Sequence, residues 1–130
     1  MNKNVKELLE NHMWDLATCL DNKPNVVPVA FKEVTEDGKL VIGDVFLDTT
    51  LKNIAGNNGS IAISVYDDKK LEGYQIKGTA SYTTSGVLVD KYKKIVEDMF
   101  HGAATCKGIL TVTPETIIVT TPGPENKKVL

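Results

Sequence analysis

The chain has 130 residues, 42% of them hydrophobic and 25% charged, with a formal net charge of -2, so it can bury a core of its own and disorder is not the expected state. Near-neutrality, a pI of about 5.7 and the lack of a long basic run exclude an electrostatic footprint for nucleic acid. No stretch approaches the ~20 apolar residues that span a bilayer, and Met1-Asn2-Lys3-Asn4 leads straight into an amphipathic pattern without an apolar signal segment. One domain, 1–130, in a reducing cytoplasm is the expectation. Cys19 and Cys106 have no CxxC spacing, so no metal site is expected, and both read as buried free thiols.

Along the chain, Val5, Leu8, Leu9 and His12 recur at helical spacing over Lys3 to His12. From Met13 to Leu20 the period drops to two, with Trp14, Leu16, Thr18 and Leu20 on one face of a strand. Asp21-Asn22-Lys23-Pro24 is a turn by composition. Val26 to Val34 reads as a second strand in which Pro28, with no N–H to give, marks an edge, a bulge or an opening. Glu36-Asp37-Gly38 signals a hairpin into a strand from Lys39 to Asp44. Asp48 is a candidate N-cap for a two-turn helix over Thr49 to Ala55, and Asn57-Asn58-Gly59 stops it.

Ser60 to Asp67 and Glu72 to Thr84 read as strands joined by a turn at Asp67-Asp68-Lys69-Lys70. After Ser85-Gly86 comes a longer helix with Val89, Tyr92, Ile95, Val96 and Met99 on its apolar stripe. Two strands, Gly108 to Thr113 and Glu115 to Thr121, close the pattern on either side of Pro114. Strands dominate and mostly follow one another through short turns, which favours an antiparallel barrel over a parallel sheet wound by helices.

No P-loop, G-x-S-x-G elbow or G-x-G-x-x-G follows any strand, so NTPase, hydrolase and dinucleotide-fold readings have no support. His12 and His101 read as helix-end residues. What remains is strand, loop and short helix from Leu40 through Asp44, Asp48, Thr49 and Thr50 to Lys52 and Asn53. Together with the Trp14 strand, Pro24 to Phe31, Tyr74 to Ala80 and Thr111-Val112-Thr113-Pro114, it resembles the FMN-binding split-barrel family related to pyridoxamine 5'-phosphate oxidase.

The resemblance implies an antiparallel split β-barrel, mainly β with inserted helices, that holds FMN between the two subunits of a homodimer. It implies a flavin-dependent oxidoreductase of unknown substrate. A flavin-binding electron carrier, or a split barrel for deazaflavin or haem, are the alternatives. Thr49, Thr50 and Lys52 would serve the phosphate at the helix start, where open amides favour an anion, and Asn53 one turn on would fix the loop or reach the ligand. Gly43, Asp44 and Val45, with backbone of Val29 and Ala30, would lie along the ring. Gln75 and Lys77 would meet ring oxygens or phosphate, and no catalytic side chain is implied. Two departures stand out: Thr49 occupies the place of the family's usual lysine or arginine, and the chain has no arginine with which to grip pyridoxal phosphate. Losing one charge-assisted contact costs about 1.5–3 kcal/mol, which Lys52 or Lys77 would have to offset.

Overall fold

A computed structural model describes residues 1–130. The elements run α1 (Lys3–Asn11), β1 (Trp14–Leu20), β2 (Lys23–Val29), β3 (Lys32–Val34), β4 (Leu40–Asp44), α2 (Thr49–Gly56), β5 (Ser60–Asp67), β6 (Glu72–Thr83), α3 (Val87–Phe100) and β7 (Gly108–Val119). The strands form one seven-stranded sheet in the order β2-β1-β5-β6-β7-β4-β3, and every pairing is antiparallel. β2 and β3 follow each other in sequence yet sit at opposite edges. Val29 and Lys32 are separated by three peptide steps, a reach of about 11 Å at most, so the edges must come together. The sheet is therefore curled into a split barrel, with its seam where the chain crosses from β2 to β3.

Two-residue turns and alternation set the strands. Asp21 and Asn22 both take left-handed backbone, φ 53° and 62°, which suits the right-handed twist of a tight hairpin. Lys23 and Pro24, read from composition as turn, are already paired in β2. Trp14, Leu16 and Thr18 point inward and are buried, and the Trp14 indole N–H donates to the Leu9 carbonyl at 2.8 Å. That bond ties β1 to α1, whose Val5, Leu8 and Leu9 close one end of the barrel core.

β4 is buried along its whole length. Its Leu40 and Ile42 enter the barrel, whereas Val41 joins a second core with Val89, Tyr92 and Val96 of α3. A strand covered on both faces reads as a continuous apolar run. Gly43 allows this close packing: a Cβ there would lie 3.0 Å from the Tyr92 ring and 3.3 Å from Phe31 Cβ.

Four expectations need correction. Val26 to Val34 is not one strand but β2 and β3, because Ala30 and Phe31 carry the chain across the seam. The strand break at Pro114 is a bulge: β7 continues, and the register with β6 shifts between Lys77 and Gly78, which accommodates the missing proline N–H. Cys19 lies on the outer face of β1 and is exposed, while Cys106 is buried. The α3 stripe is narrower than its periodicity suggests, since Ile95 and Met99 are 38% and 59% exposed. No helix is long and apolar enough to cross a membrane.

Candidate functional site

The seam opens into a cleft of about 640 Å³, within the usual range for small-molecule sites. Residues 27–31 form one wall, Ile42, Gly43 and residues 45–50 the other, and Met99 and Phe100 close the mouth. The mouth is aromatic: Phe100 packs against Phe31 and Phe46 with ring centroids 6.1 and 6.2 Å apart. Among the lining residues Asp48 alone is ionisable.

α2 points its N-terminus into this cleft. Asp48 holds the N-cap position but makes no capping bond; its carboxylate instead pairs with Lys52 at 3.4 Å on the surface. The first helical bond runs from Lys52 N–H to the Asp48 carbonyl at 3.2 Å, so the amides of Thr49, Thr50 and Leu51 stay open. Open amides on a helix dipole make an anion site. Thr49 is exposed at the cleft wall, whereas Thr50 is buried and its hydroxyl accepts from Asn25 Nδ2 at 3.4 Å.

Of the residues expected to hold a cofactor, the structure brings Val29, Ala30, Gly43, Val45, Thr49 and Thr50 to the cleft lining. Asn53 is turned to the barrel, where its amide donates to the Thr18 hydroxyl at 3.0 Å. Lys52 stands outside the lining, where it pairs with the carboxylate of Asp48. Asp44 is fully buried behind the loop. Its Oδ1 accepts the Leu47 N–H at 3.0 Å, and its Oδ2 accepts the Tyr82 hydroxyl at 2.6 Å. Lys107 Nζ lies 3.9 Å from the same carboxylate. Burial, and then this hydrogen bond, push the Tyr82 hydroxyl well above the ordinary tyrosine range.

Gln75 and Lys77 face elsewhere. They pair with Ser64 and Ala62 across β5, on the outer side of the sheet. There Lys77 lines a second, more open groove of about 800 Å³, together with Ala17, Cys19, Ser60, Ala62 and Glu115. Asn25 borders both depressions. Sequence reading missed Asn25, Phe46 and Tyr82; period-two alternation marks Tyr82 as strand, but nothing local pairs it with Asp44.

A profile of the family described as pyridoxamine 5'-phosphate oxidase matches residues 1–122. The chain belongs to this family. An uncharacterized protein of Methanocaldococcus jannaschii is 37% identical over 94 residues, covering 70% of this chain and 59% of that protein, so the chain spans little more than half of that relative's length. The crystal structure of HupZ from Group A Streptococcus superposes with a TM-score of 0.80 at 25% identity, over 96% of this chain and 98% of that one. An FMN-binding protein from Syntrophomonas wolfei superposes with a TM-score of 0.76 at 17% identity, over 92% and 85% of the two chains, and shares the fold.

The cleft suits a flavin in two respects. Its apolar walls match a flat ring, and the open α2 amides match a phosphate. No cation lines it at the phosphate end, where Asp48, paired with Lys52 outside the lining, stands instead.

Proposed function

We propose that the seam cleft binds FMN and that the protein is a flavin-dependent oxidoreductase working as a homodimer. The observation carrying this reading is the uncapped N-terminus of α2 opening into an apolar cleft of flavin size. The amides of Thr49, Thr50 and Leu51 would hold the phosphate, with the Thr49 hydroxyl as a further donor. Val29, Val45 and the backbone of Ala30 would flank the ring, and Phe46, Met99 and Phe100 would keep water from it. FMN supplies the capacity to accept hydride or electrons when bound, while the protein supplies position and field. A lining without histidine, cysteine or lysine fits that division of labour.

The charge balance supports the homodimer. A dianionic phosphate beside Asp48 needs a cation, and no lysine of the same subunit lines the cleft. Lys77 is exposed on the adjoining outer face, among the small side chains that floor the open groove. A second copy laid on that face would bring its own Lys77 and Gln75 toward the cleft and cover the open side of the ring.

The absorbance spectrum and mass of the small molecule that copurifies test the cofactor. Flavin bands and the mass of FMN are expected; a deazaflavin mass, a Soret band or a colourless protein that takes up no FMN would overturn the assignment. Saturable reduction by NADH or NADPH is expected of an enzyme, and inertness to both would turn the reading to an electron carrier.

A further inference from the structure

We infer that Asp44 and Tyr82 are positioning residues that aim the start of α2 at the cofactor phosphate. This role rests on the flavin reading above and concerns two residues that do not touch the cleft. Residues 45–48 have no regular secondary structure, yet they carry the chain from β4 into α2 and form a wall of the cleft. A loop of this kind holds its shape only if something fixes it. The Asp44 carboxylate accepts the Leu47 amide and the Tyr82 hydroxyl on separate oxygens, at 3.0 and 2.6 Å.

Lys107 completes the arrangement. Its backbone N–H donates to the Asp44 carbonyl at 2.8 Å, and its ammonium reaches the Leu47 carbonyl at 3.3 Å. Both ends of the loop are thereby tied to β6 and to the start of β7. The fold makes room for this: a Cβ at Gly108 would collide with the Tyr82 hydroxyl. A fully buried carboxylate is costly without partners, and here each oxygen has one. Leu47 is the residue just before Asp48 and the open amides, so a shift at Leu47 swings the helix start directly.

The test compares FMN with riboflavin, which has the same ring and no phosphate, by fluorescence titration of the full chain. In Tyr82→Phe, FMN affinity is expected to fall about tenfold, as loss of a hydrogen bond to a charged group implies, while riboflavin affinity stays within about twofold. Asp44→Asn, which keeps an acceptor for Leu47 and offers an amide N–H that the Tyr82 hydroxyl can accept, is expected to retain the preference for FMN. Hydrogen exchange at the Leu47 amide is expected to be slow in the wild type and faster in Tyr82→Phe. Equal weakening of both ligands, an undiminished FMN preference in Tyr82→Phe, or an unchanged Leu47 amide would each overturn the positioning role. A wild-type chain that binds neither flavin would instead overturn the flavin reading, and this role with it.

Discussion

The seam cleft and the outer groove meet at Asn25 but are built from opposite materials. The cleft, about 640 Å³, has aromatic and aliphatic walls, a helix end and no cation. The groove, about 800 Å³, lies on paired strands whose outward side chains are small, with Lys77 and Glu115 at one side. A cleft walled by a loop and a helix start can shape itself around a ligand. A groove floored by Ala17, Ser60 and Ala62 has no bulky side chain to fill it, and what matches it is a complementary protein surface. The charge missing from one region is present in the other, which is why the proposed function needs two copies.

The comparison breaks most visibly if the groove is made unable to pack. Ala17→Glu puts a carboxylate in the groove opposite Val26 and Ala62, with no lysine as its cross-strand partner, and burying it unpaired costs about 3 kcal/mol or more. Sedimentation should show a dimer becoming a monomer at micromolar concentration, with FMN affinity falling at least about 100-fold; a wild-type monomer that binds FMN would break the link between the regions. Lys77→Gln is milder. Loss of a charge-assisted contact of about 1.5–3 kcal/mol should weaken FMN about 10- to 100-fold, leave riboflavin unaffected and flatten the salt dependence of binding. Thr49→Ala removes one neutral donor and should cost about 0.5–1.5 kcal/mol in FMN affinity, measured by the same titration, with thermal stability unchanged.

Away from both regions, a pH effect concerns the tyrosines that brace the frame. Tyr74, hydrogen-bonded to Glu72 at 2.8 Å, has its pKa pushed up to about 12 by burial and then by that carboxylate. Tyr82 and Tyr92 are raised in the same way, with Asp44 and Glu33 as their acceptors. Because each folded value lies above the ordinary value near 10, the native state holds these protons more tightly than the unfolded chain. Their stabilisation is complete below pH 10 and drains away as pH rises through 10 to 12 and beyond. Chemical denaturation across that range should show falling stability, and ultraviolet titration should show late ionisation. On the acid side burial opposes ionisation of Glu33, but hydrogen bonds from Lys91 and Tyr92 prevail and lower its pKa. Its contribution should be lost as pH falls below the ordinary carboxylate range.

What the sequence revealed, and what it hid, follows from the range of the interactions. Alternation placed Trp14 and Leu16 inside, and the shared face of Gln75 and Lys77 was equally plain. Which region that face serves was not, because it depends on how the sheet curls. Pro28 marked an edge, a bulge or an opening, yet the transfer of Lys32 to Val34 to the opposite edge depends on their pairing with β4, which no local signal encodes. Thr49 and Thr50 were legible as a helix start; that Asn25 takes the Thr50 hydroxyl joins residues 25 positions apart. Asp44 was singled out for the cofactor, but its carboxylate is spent on Tyr82, 38 residues away.

The most direct test is to titrate the wild-type chain with FMN and with riboflavin under the same conditions. An anion site at α2 requires FMN to bind at least about tenfold more tightly, the share expected of a charge-assisted phosphate contact. Equal affinity for the two, or no binding of either, would contradict it.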